Sequence, residues 1–415
     1  MEIRGKIIQW LNRASDFLGT NLFYTLKGGS VLTLNNFISA AINLTLAIFF
    51  ARLLPKEVYG TYSYVLAWIS VLGIFALPGM DTAVIQSVAR GFESSLALGL
   101  KKKIRYGTLG TLAALIIGGY YLYGGNQTLA AIFFISAVFI PLLNSFQIYN
   151  AYLVGKKEFK TSAFYGIMSQ IFTASVLIVA IYLTDNIVYI VSAYIFATVL
   201  PNFVFFIKIK IKTAKAASPN DPGIVAYAKH LSLINVISMV TPYIDQFLAF
   251  HFLGAANLAT YAFATAPPEQ IKGLFKGIPD LALPKFSERS EEELKKTMTR
   301  KIVIYSVFVA LVVGVYITLA PLFYKIVFPQ YIDAVFLSQI FALSLLSAQP
   351  TLIMGALSAH KKIKKLYLFN IISPLFQILA MAILTPLYGL MGLVVARVIG
   401  RTFNSLFAIG IYYRR

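Results

Sequence analysis

The stretch VIYSVFVALVVGVYITLAP (303–321) decides the class of fold, because its nineteen residues include no charged side chain. A helix rises about 1.5 Å per residue, so this segment can cross about 30 Å of hydrocarbon. Eleven further apolar runs of similar length follow one another along the 415-residue chain. Only 13% of the residues are charged, roughly half the share of a soluble domain. The sequence therefore predicts an all-α membrane protein of about twelve transmembrane helices.

The predicted spans follow from the apolar runs. They are residues 30–51, 60–80, 107–123, 129–151, 163–183, 187–207, 231–253, 259–284, 303–321, 334–355, 366–386 and 390–411.

Basic residues collect on every second connection between these spans. Segment 285–301, just before the quoted stretch, holds six Lys and Arg residues, whereas the connection after it holds only Lys325. Over the whole chain, 29 of the 36 basic residues lie in such alternate segments, including both termini. Basic loops stay in the cytoplasm, so a multi-pass protein of the inner membrane with cytoplasmic termini is predicted. This topology accounts for the net charge of +20 without a nucleic-acid partner.

The loops divide the chain into four predicted parts. Residues 1–27 have apolar positions at helical spacing and predict an amphipathic cytoplasmic segment. A six-helix bundle follows over 28–207, and a second one over 230–415. Segment 208–229, with Pro, Ser, Asn and Lys and no apolar pattern, predicts a cytoplasmic linker between the bundles.

The two predicted bundles are related in sequence. A shift of 199 residues pairs identical residues of several types: Asn36 with Asn235, Tyr62 with Tyr261, Asp81 with Asp280, Arg90 with Arg289 and Tyr106 with Tyr305. Six spans per bundle is an even number, so both bundles enter the membrane from the same side. The sequence therefore predicts parallel repeats, related by an axis along the membrane normal.

Four ionisable residues share one face of the eighth predicted span. Glu269, Lys272, Lys276 and Asp280 follow helical spacing, and Pro267-Pro268 is expected to interrupt the helix nearby. A charge in the bilayer centre is costly, so such residues need a cavity, a partner or a role. We expect a hydrated cavity wall here; the alternative is a network in which the four charges neutralise one another.

Arg397 and Arg401 lie one helical turn apart on the last span, about 10 and 16 Å from its outer end. A guanidinium suits phosphate oxygens, so these residues are candidates for substrate binding. The alternative is structural pairing with Asp245 or Glu269. Asp245 on the seventh span is itself a candidate for a coupling-ion site, a counter-ion or a structural group.

Other residues point to few kinds of chemistry. Asp81 and Asp280 are expected at the cytoplasmic edge in a structural or gating role. The chain has no cysteine and only three scattered histidines, and no phosphate-binding glycine loop or nucleophile motif is present. We therefore predict no catalytic residue, no metal and no cofactor.

Three segments carry a resemblance to a known family: ARLLPKEVYGTYSYVLAWISVLGIFALPGMDTAVIQSVAR (51–90), YIDQFLAFHFLGAANLATYAFA (243–264) and YGLMGLVVARVIGRTFNSL (388–406). The chain resembles polysaccharide flippases of the O-antigen (Wzx) type, in the multidrug/oligosaccharidyl-lipid/polysaccharide exporter superfamily. The resemblance implies two six-helix bundles around a central cavity that opens to each side of the membrane in turn. The two extra spans usual in the related lipid II flippases are not found here.

The resemblance also implies a function. The substrate would be an oligosaccharide on a polyprenyl (pyro)phosphate, moved from the cytoplasmic to the outer leaflet, with membrane lipid around it. H+ or Na+ is the candidate coupling ion, and other polysaccharide-assembly proteins are candidate partners. One alternative is an ion-coupled drug or metabolite exporter of the same fold, although basic residues in the spans would repel cationic drugs. A membrane-embedded glycan-processing enzyme is a third interpretation, and the short outer loops count against it.

Overall fold

The computed structural model describes residues 22–213, 219, 221–275, 291–347, 350–360 and 362–414. These residues form α-helices and short 3-10 turns and include no β-strand. The helices are α1 (Leu22–Leu53), α2 (Lys56–Leu72), α3 (Gly79–Ala89), α4 (Ser95–Tyr123), α5 (Gln127–Leu143), α6 (Ile148–Gly155), α7 (Phe159–Leu183), α8 (Ile187–Thr213), α9 (Ile224–Leu253), α10 (Ala255–Phe275), α11 (Glu291–Val327), α12 (Ala334–Ala342), α13 (Pro350–Ala359) and α14 (Ile363–Tyr413).

Each of the twelve predicted spans corresponds to a helix, a pair of helices or half of a helix. The fourth and tenth spans are each built from two helices, namely α5 with α6 and α12 with α13, whereas α3 lies almost wholly beyond the predicted end of the second span at residue 80. The last two spans form the two halves of α14, which bends at Gly389 (φ 58°, ψ −140°). Eight of the described helical segments are long and apolar enough to cross a membrane. The prediction of an all-α, multi-pass membrane protein is confirmed.

Some predicted segments differ at their ends. Residues 1–21 of the predicted cytoplasmic segment 1–27 lie outside the described residues. From Leu22 the chain is helical and continuous with the first span. Helices α8 and α9 extend into the predicted linker from both sides. Apolar periodicity marks the part of a helix inside the hydrocarbon, and these helices continue beyond it.

By internal contacts the chain divides into two compact units. One comprises residues 37–250, and its core brings together α3, α6, the end of α8 and the start of α9. The other comprises the described residues up to Asn36 and those from His251 onward, with apolar clusters between α11, α13 and the second half of α14. The division falls near the end of α9, not in the predicted linker, and the predicted bundle boundaries remain a prediction.

The order and bounds of the helices recur along the chain. Helix α10 begins 199 residues after α2, and the first half of α14 begins 204 residues after α7. The fourth and tenth spans are each interrupted, after Leu143 and after Ala342. This correspondence supports parallel repeats; the superposition of the two halves remains a prediction.

Proline residues inside the spans leave backbone carbonyls without their helical donor, because proline has no N–H. Four of these carbonyls accept a hydrogen bond from a side chain of another helix instead. The prolines are Pro141, Pro201, Pro267 and Pro321. The donors and carbonyls are Thr111 with Ala137 (2.7 Å), Thr173 with Ala197 (3.0 Å), Tyr324 with Phe263 (2.8 Å) and Gln339 with Ile317 (2.9 Å). Neighbouring helices thus satisfy backbone groups that lipid cannot.

This arrangement corrects the expectation that Pro267-Pro268 interrupts the eighth span. Helix α10 runs through both prolines to Phe275. The Tyr324 hydroxyl is buried and replaces the donor that Pro267 lacks. The sequence alone does not show which residue of another helix reaches this carbonyl.

The Thr111 hydrogen bond can be tested by substitution. Thr111→Val keeps the shape of the side chain but removes the hydroxyl, and the Ala137 carbonyl is too buried for water to replace it. We expect the free energy of unfolding to fall by about 0.5–2 kcal/mol, measured by thermal unfolding in detergent. Thr111→Ser is the matched control, since it keeps the donor. Equal stability of the Val and Ser variants would contradict this role.

The N-terminal end of α9 is hydrogen-bonded to α3. The Gly79 backbone N–H donates to the Ser232 hydroxyl over 2.9 Å, and a Cβ at Gly79 would overlap the Ala228 carbonyl oxygen. Just before α9, Asp221 accepts hydrogen bonds from the Ser87 hydroxyl and the Arg90 guanidinium. The bond from Ser87 lowers the pKa of Asp221. These contacts bind the start of α9 to the unit 37–250.

Candidate functional site

The charges of the last span and of the eighth span meet in the unit that contains His251–Arg415. Arg397 and Arg401 project from the second half of α14, and both donate through Nη2 to the same carboxylate oxygen of Glu269, on α10. The distance from Arg397 is 3.1 Å, and the contact from Arg401 is shorter. Lys272 Nζ lies 3.7 Å from the second oxygen of Glu269.

The last span positions the two arginines by its bend. Gly389 has a positive φ, which favours glycine, and it redirects the chain so that a new helix starts there. Arg397 and Arg401 follow four residues apart, so both side chains leave the same face. Glu269 lies about 21 Å along α10 from Ala255, and Arg401 lies about 16 Å along the second half of α14 from Leu390. Glu269 and the two arginines therefore lie inside the predicted spans 259–284 and 390–411.

Neutral groups hold the guanidiniums on the side away from Glu269. Arg397 Nη1 donates to the Tyr261 hydroxyl over 3.2 Å, and Arg401 Nη1 donates to the Ser344 hydroxyl over 2.8 Å. The Phe341 ring lies under both guanidiniums, with its centroid 5.4 Å from Arg397 and 4.7 Å from Arg401. Each arginine is therefore fixed by a hydroxyl, an aromatic face and a carboxylate.

Burial differs between the cations and the anion. The arginine side chains are only 12% and 11% exposed, whereas Glu269 and Lys272 are 35% and 38% exposed. Among the described residues of this cluster, one carboxylate faces three cations. The cluster thus concentrates positive charge where a charge is expensive to place.

The predicted site residues have different outcomes. The structure brings Glu269, Lys272, Arg397 and Arg401 together, so the pairing with Glu269 that we considered as a structural alternative is present. Lys276 and Asp280 lie outside the described residues. Ile271, two residues after Glu269 on α10, packs against α11 and α12. Tyr261, Ser344 and Phe341 were not predicted, because nothing in their sequence context marks them; only Tyr261 appeared, as a repeated residue.

Asp245 lies in the other compact unit. It is 3% exposed on α9, and its Oδ1 accepts from the backbone N–H of Gln246 over 2.9 Å. Two residues later, Phe247 packs against Trp68, with ring centroids 4.8 Å apart. A buried carboxylate beside aromatic rings is consistent with each role considered above, and a coupling-ion role remains a prediction.

Asp81 has a structural partner that the sequence did not predict. Lys103 Nζ of α4 donates to both its oxygens, over 2.7 and 2.9 Å. The lysine side chain is 2% exposed and the aspartate 44%, so the pair compensates a buried ammonium at the start of α4. Lys103 lies between the predicted spans 60–80 and 107–123, in a run of basic residues that predicts a cytoplasmic connection. A gating role for Asp81 remains a prediction.

Comparison with known proteins identifies the family and the fold of the chain. The sequence matches the family model described as polysaccharide biosynthesis protein over residues 25–289. No curated protein matches it. Among solved structures, an inward-facing multidrug resistance MATE family transporter of the MOP superfamily aligns with a TM-score of 0.67 at 15% identity, covering 89% of this chain and 92% of that one.

Two further structures show the same fold. The lipid II flippase MurJ in an inward closed conformation aligns with a TM-score of 0.66 at 15% identity, over 91% of this chain and 86% of that one. An outward-facing MATE family transporter aligns with a TM-score of 0.59 at 15% identity, over 91% and 92% of the two chains. The chain therefore has the fold of the MOP superfamily of transporters and flippases and belongs to the polysaccharide biosynthesis protein family.

Proposed function

We propose that this protein is an alternating-access flippase for an oligosaccharide carried on a polyprenyl phosphate or diphosphate. It moves this lipid from the cytoplasmic to the outer leaflet of the inner membrane for the assembly of surface polysaccharide. Its termini lie in the cytoplasm, as the distribution of basic residues predicts. The observation that carries the proposal is the cluster of Arg397, Arg401 and Lys272 around Glu269, inside the eighth and last predicted spans.

The chemistry of this cluster fits a phosphate better than a sugar or a cation. Guanidinium groups present planar pairs of donors that match phosphate oxygens, and a low dielectric strengthens their attraction to an anion. A cationic drug would meet three positive charges and one negative charge among the described residues. Family membership supports a substrate of polysaccharide biosynthesis. The polyprenyl chain would remain in the surrounding lipid.

The proposed coupling-ion site lies at a different residue. Asp245 is a buried carboxylate on α9, and we propose it as the site of H+ or Na+ coupling. Hydrogen bonds from Gly79 to Ser232 and from Ser87 to Asp221 connect the start of α9 to α3. A change in the charge of Asp245 would therefore act on α9 and α3 together. Other proteins of polysaccharide assembly are proposed as partners that deliver or receive the lipid.

Reconstituted vesicles test this function against the exporter of the same fold. Purified protein is inserted into vesicles that contain a fluorescent oligosaccharide on farnesyl diphosphate, and a membrane-impermeant quencher reports the fraction exposed outside. We expect the protein to exchange this lipid between leaflets, so that nearly all of it becomes quenchable, compared with about half in vesicles without protein. A fluorescent lipophilic cation should not be transported in parallel vesicles. Transport of the cation but not of the lipid would favour the drug exporter; movement of neither would contradict both functions.

A further inference from the structure

A single oxygen atom of Glu269 lies between the two arginines of the cation cluster. Its Oε1 accepts from the Nη2 atoms of Arg397 and Arg401, while its Oε2 lies 3.7 Å from Lys272 Nζ. Two guanidiniums that converge on one oxygen form the arrangement that would receive a phosphate oxygen. The carboxylate therefore stands where the proposed substrate would place its charge.

The donors of this cluster are fixed, whereas the acceptor is movable. Tyr261 and Ser344 hold the outer nitrogens of the arginines, and the Phe341 ring supports both guanidiniums. These arginines are nearly buried, but about a third of the Glu269 side chain is exposed. A glutamate has three rotatable side-chain bonds, so it can turn away while the arginines stay in place.

A second position for the displaced carboxylate already exists. Lys272 is one helical turn beyond Glu269 on α10 and is as exposed as the glutamate. If Glu269 turns toward it, the negative charge keeps a cationic partner while it leaves the arginines. The exchange then costs less than the removal of a buried ion pair, because no charge is left uncompensated.

We infer that Glu269 is an internal substitute for the substrate phosphate, which the phosphate displaces from Arg397 and Arg401 on binding. The inference rests on the proposed function and adds how the site selects its ligand. A ligand must bind the arginines more strongly than one tethered carboxylate, so a dianionic phosphate or a diphosphate can displace Glu269 and a neutral glycolipid cannot. When no substrate is bound, the carboxylate compensates two adjacent like charges that would otherwise repel each other.

The test measures affinity rather than transport. Farnesyl diphosphate is the probe and farnesol the uncharged control, each titrated into the full-length protein in nanodiscs. Glu269→Gln removes the competing charge, and we expect it to bind farnesyl diphosphate about tenfold more tightly than the natural protein, which is about 1.4 kcal/mol. Glu269→Asp keeps the charge but is one methylene shorter and reaches the two arginines less well. We expect a smaller increase for it, and no change in the affinity for farnesol in either variant.

The outcomes separate the inference from the proposed function. The proposed function, and the inference with it, would be overturned if farnesyl diphosphate bound no more tightly than farnesol to the natural protein and to both variants. Diphosphate-specific binding that is unchanged or weaker in Glu269→Gln and Glu269→Asp would overturn the displacement alone. If Glu269→Gln does not fold, Glu269→Asp decides the question in the same way.

Discussion

Arg401→Ala should reduce transport of the diphosphate-linked oligosaccharide by about ten- to a hundredfold, while the protein still accumulates in the membrane. Arg401 makes the shortest contact to Glu269 and also donates to Ser344, so its loss removes one of the two guanidiniums of the proposed phosphate site. Stability should fall less than transport. Glu269 retains Arg397 at 3.1 Å and Lys272 at 3.7 Å, so the carboxylate is not left without a cation.

Two further variants distinguish a phosphate-binding role of Arg401 from a purely structural one. Arg401→Lys keeps the charge but cannot donate to Ser344 and to an anion with the same planar geometry, so we expect partial transport. In the double variant Arg401→Gln with Glu269→Gln, one cation and one anion are removed together. If Arg401 only neutralises Glu269, this double variant should restore transport, and that result would rule out phosphate binding. Persistent loss of transport in a folded double variant would support it. Arg105→Ala, at an exposed position on α4, is the control for a general loss of charge.

The sequence predicts the fold well because the bilayer imposes a simple rule. Each span must be apolar and about twenty residues long, and basic residues collect in the loops on one side of the membrane. Both signals are visible in single segments such as 285–321, where a basic segment precedes an uncharged span. The spans could therefore be located without knowledge of how they pack.

The packing partners of the charged residues could not be predicted in the same way. Helical spacing placed Arg397 and Arg401 on one face of their span, but spacing cannot say which other helix lies opposite that face. Two acidic candidates, Asp245 and Glu269, remained, and the structure brings Glu269 to the arginines. Ser344 and Phe341 could not be predicted, because a serine and a phenylalanine in an apolar span are ordinary residues there.

The same limit explains the errors about proline and lysine. A proline pair inside a span normally predicts an interruption, yet Tyr324 on another helix satisfies the Phe263 carbonyl, and α10 continues. Lys103 stands in a basic run and looks like a loop residue, yet Asp81 compensates its charge within the folded unit. In each case the deciding group is distant in sequence, so local patterns do not reveal it.

Gly392→Ala should be among the most destabilising single substitutions in the chain, with a loss of about 3 kcal/mol in the free energy of unfolding. The bend at Gly389 returns the chain toward the end of the preceding helical half. A Cβ on Gly392 would overlap the Leu384 carbonyl oxygen and lie 2.8 Å from the Leu384 carbonyl carbon and 2.9 Å from Tyr388 Cβ. Two of these atoms belong to the backbone, so a side-chain rotation cannot relieve the overlap.

The consequence should reach the cation cluster, because Arg397 lies five residues beyond Gly392 on the same helix. A shift of this helix would separate the guanidiniums from Glu269, so transport should fall even in the fraction of protein that folds. Gly410→Ala is the matched control: it lies on the same half of α14, and no described atom outside its own stretch of helix lies within 4 Å of an added Cβ. Alanine there should raise stability slightly, since it favours helix more than glycine does. Thermal unfolding in detergent and transport in vesicles measure both effects, and equal behaviour of the two variants would show that the chain does not turn back on itself at Gly389.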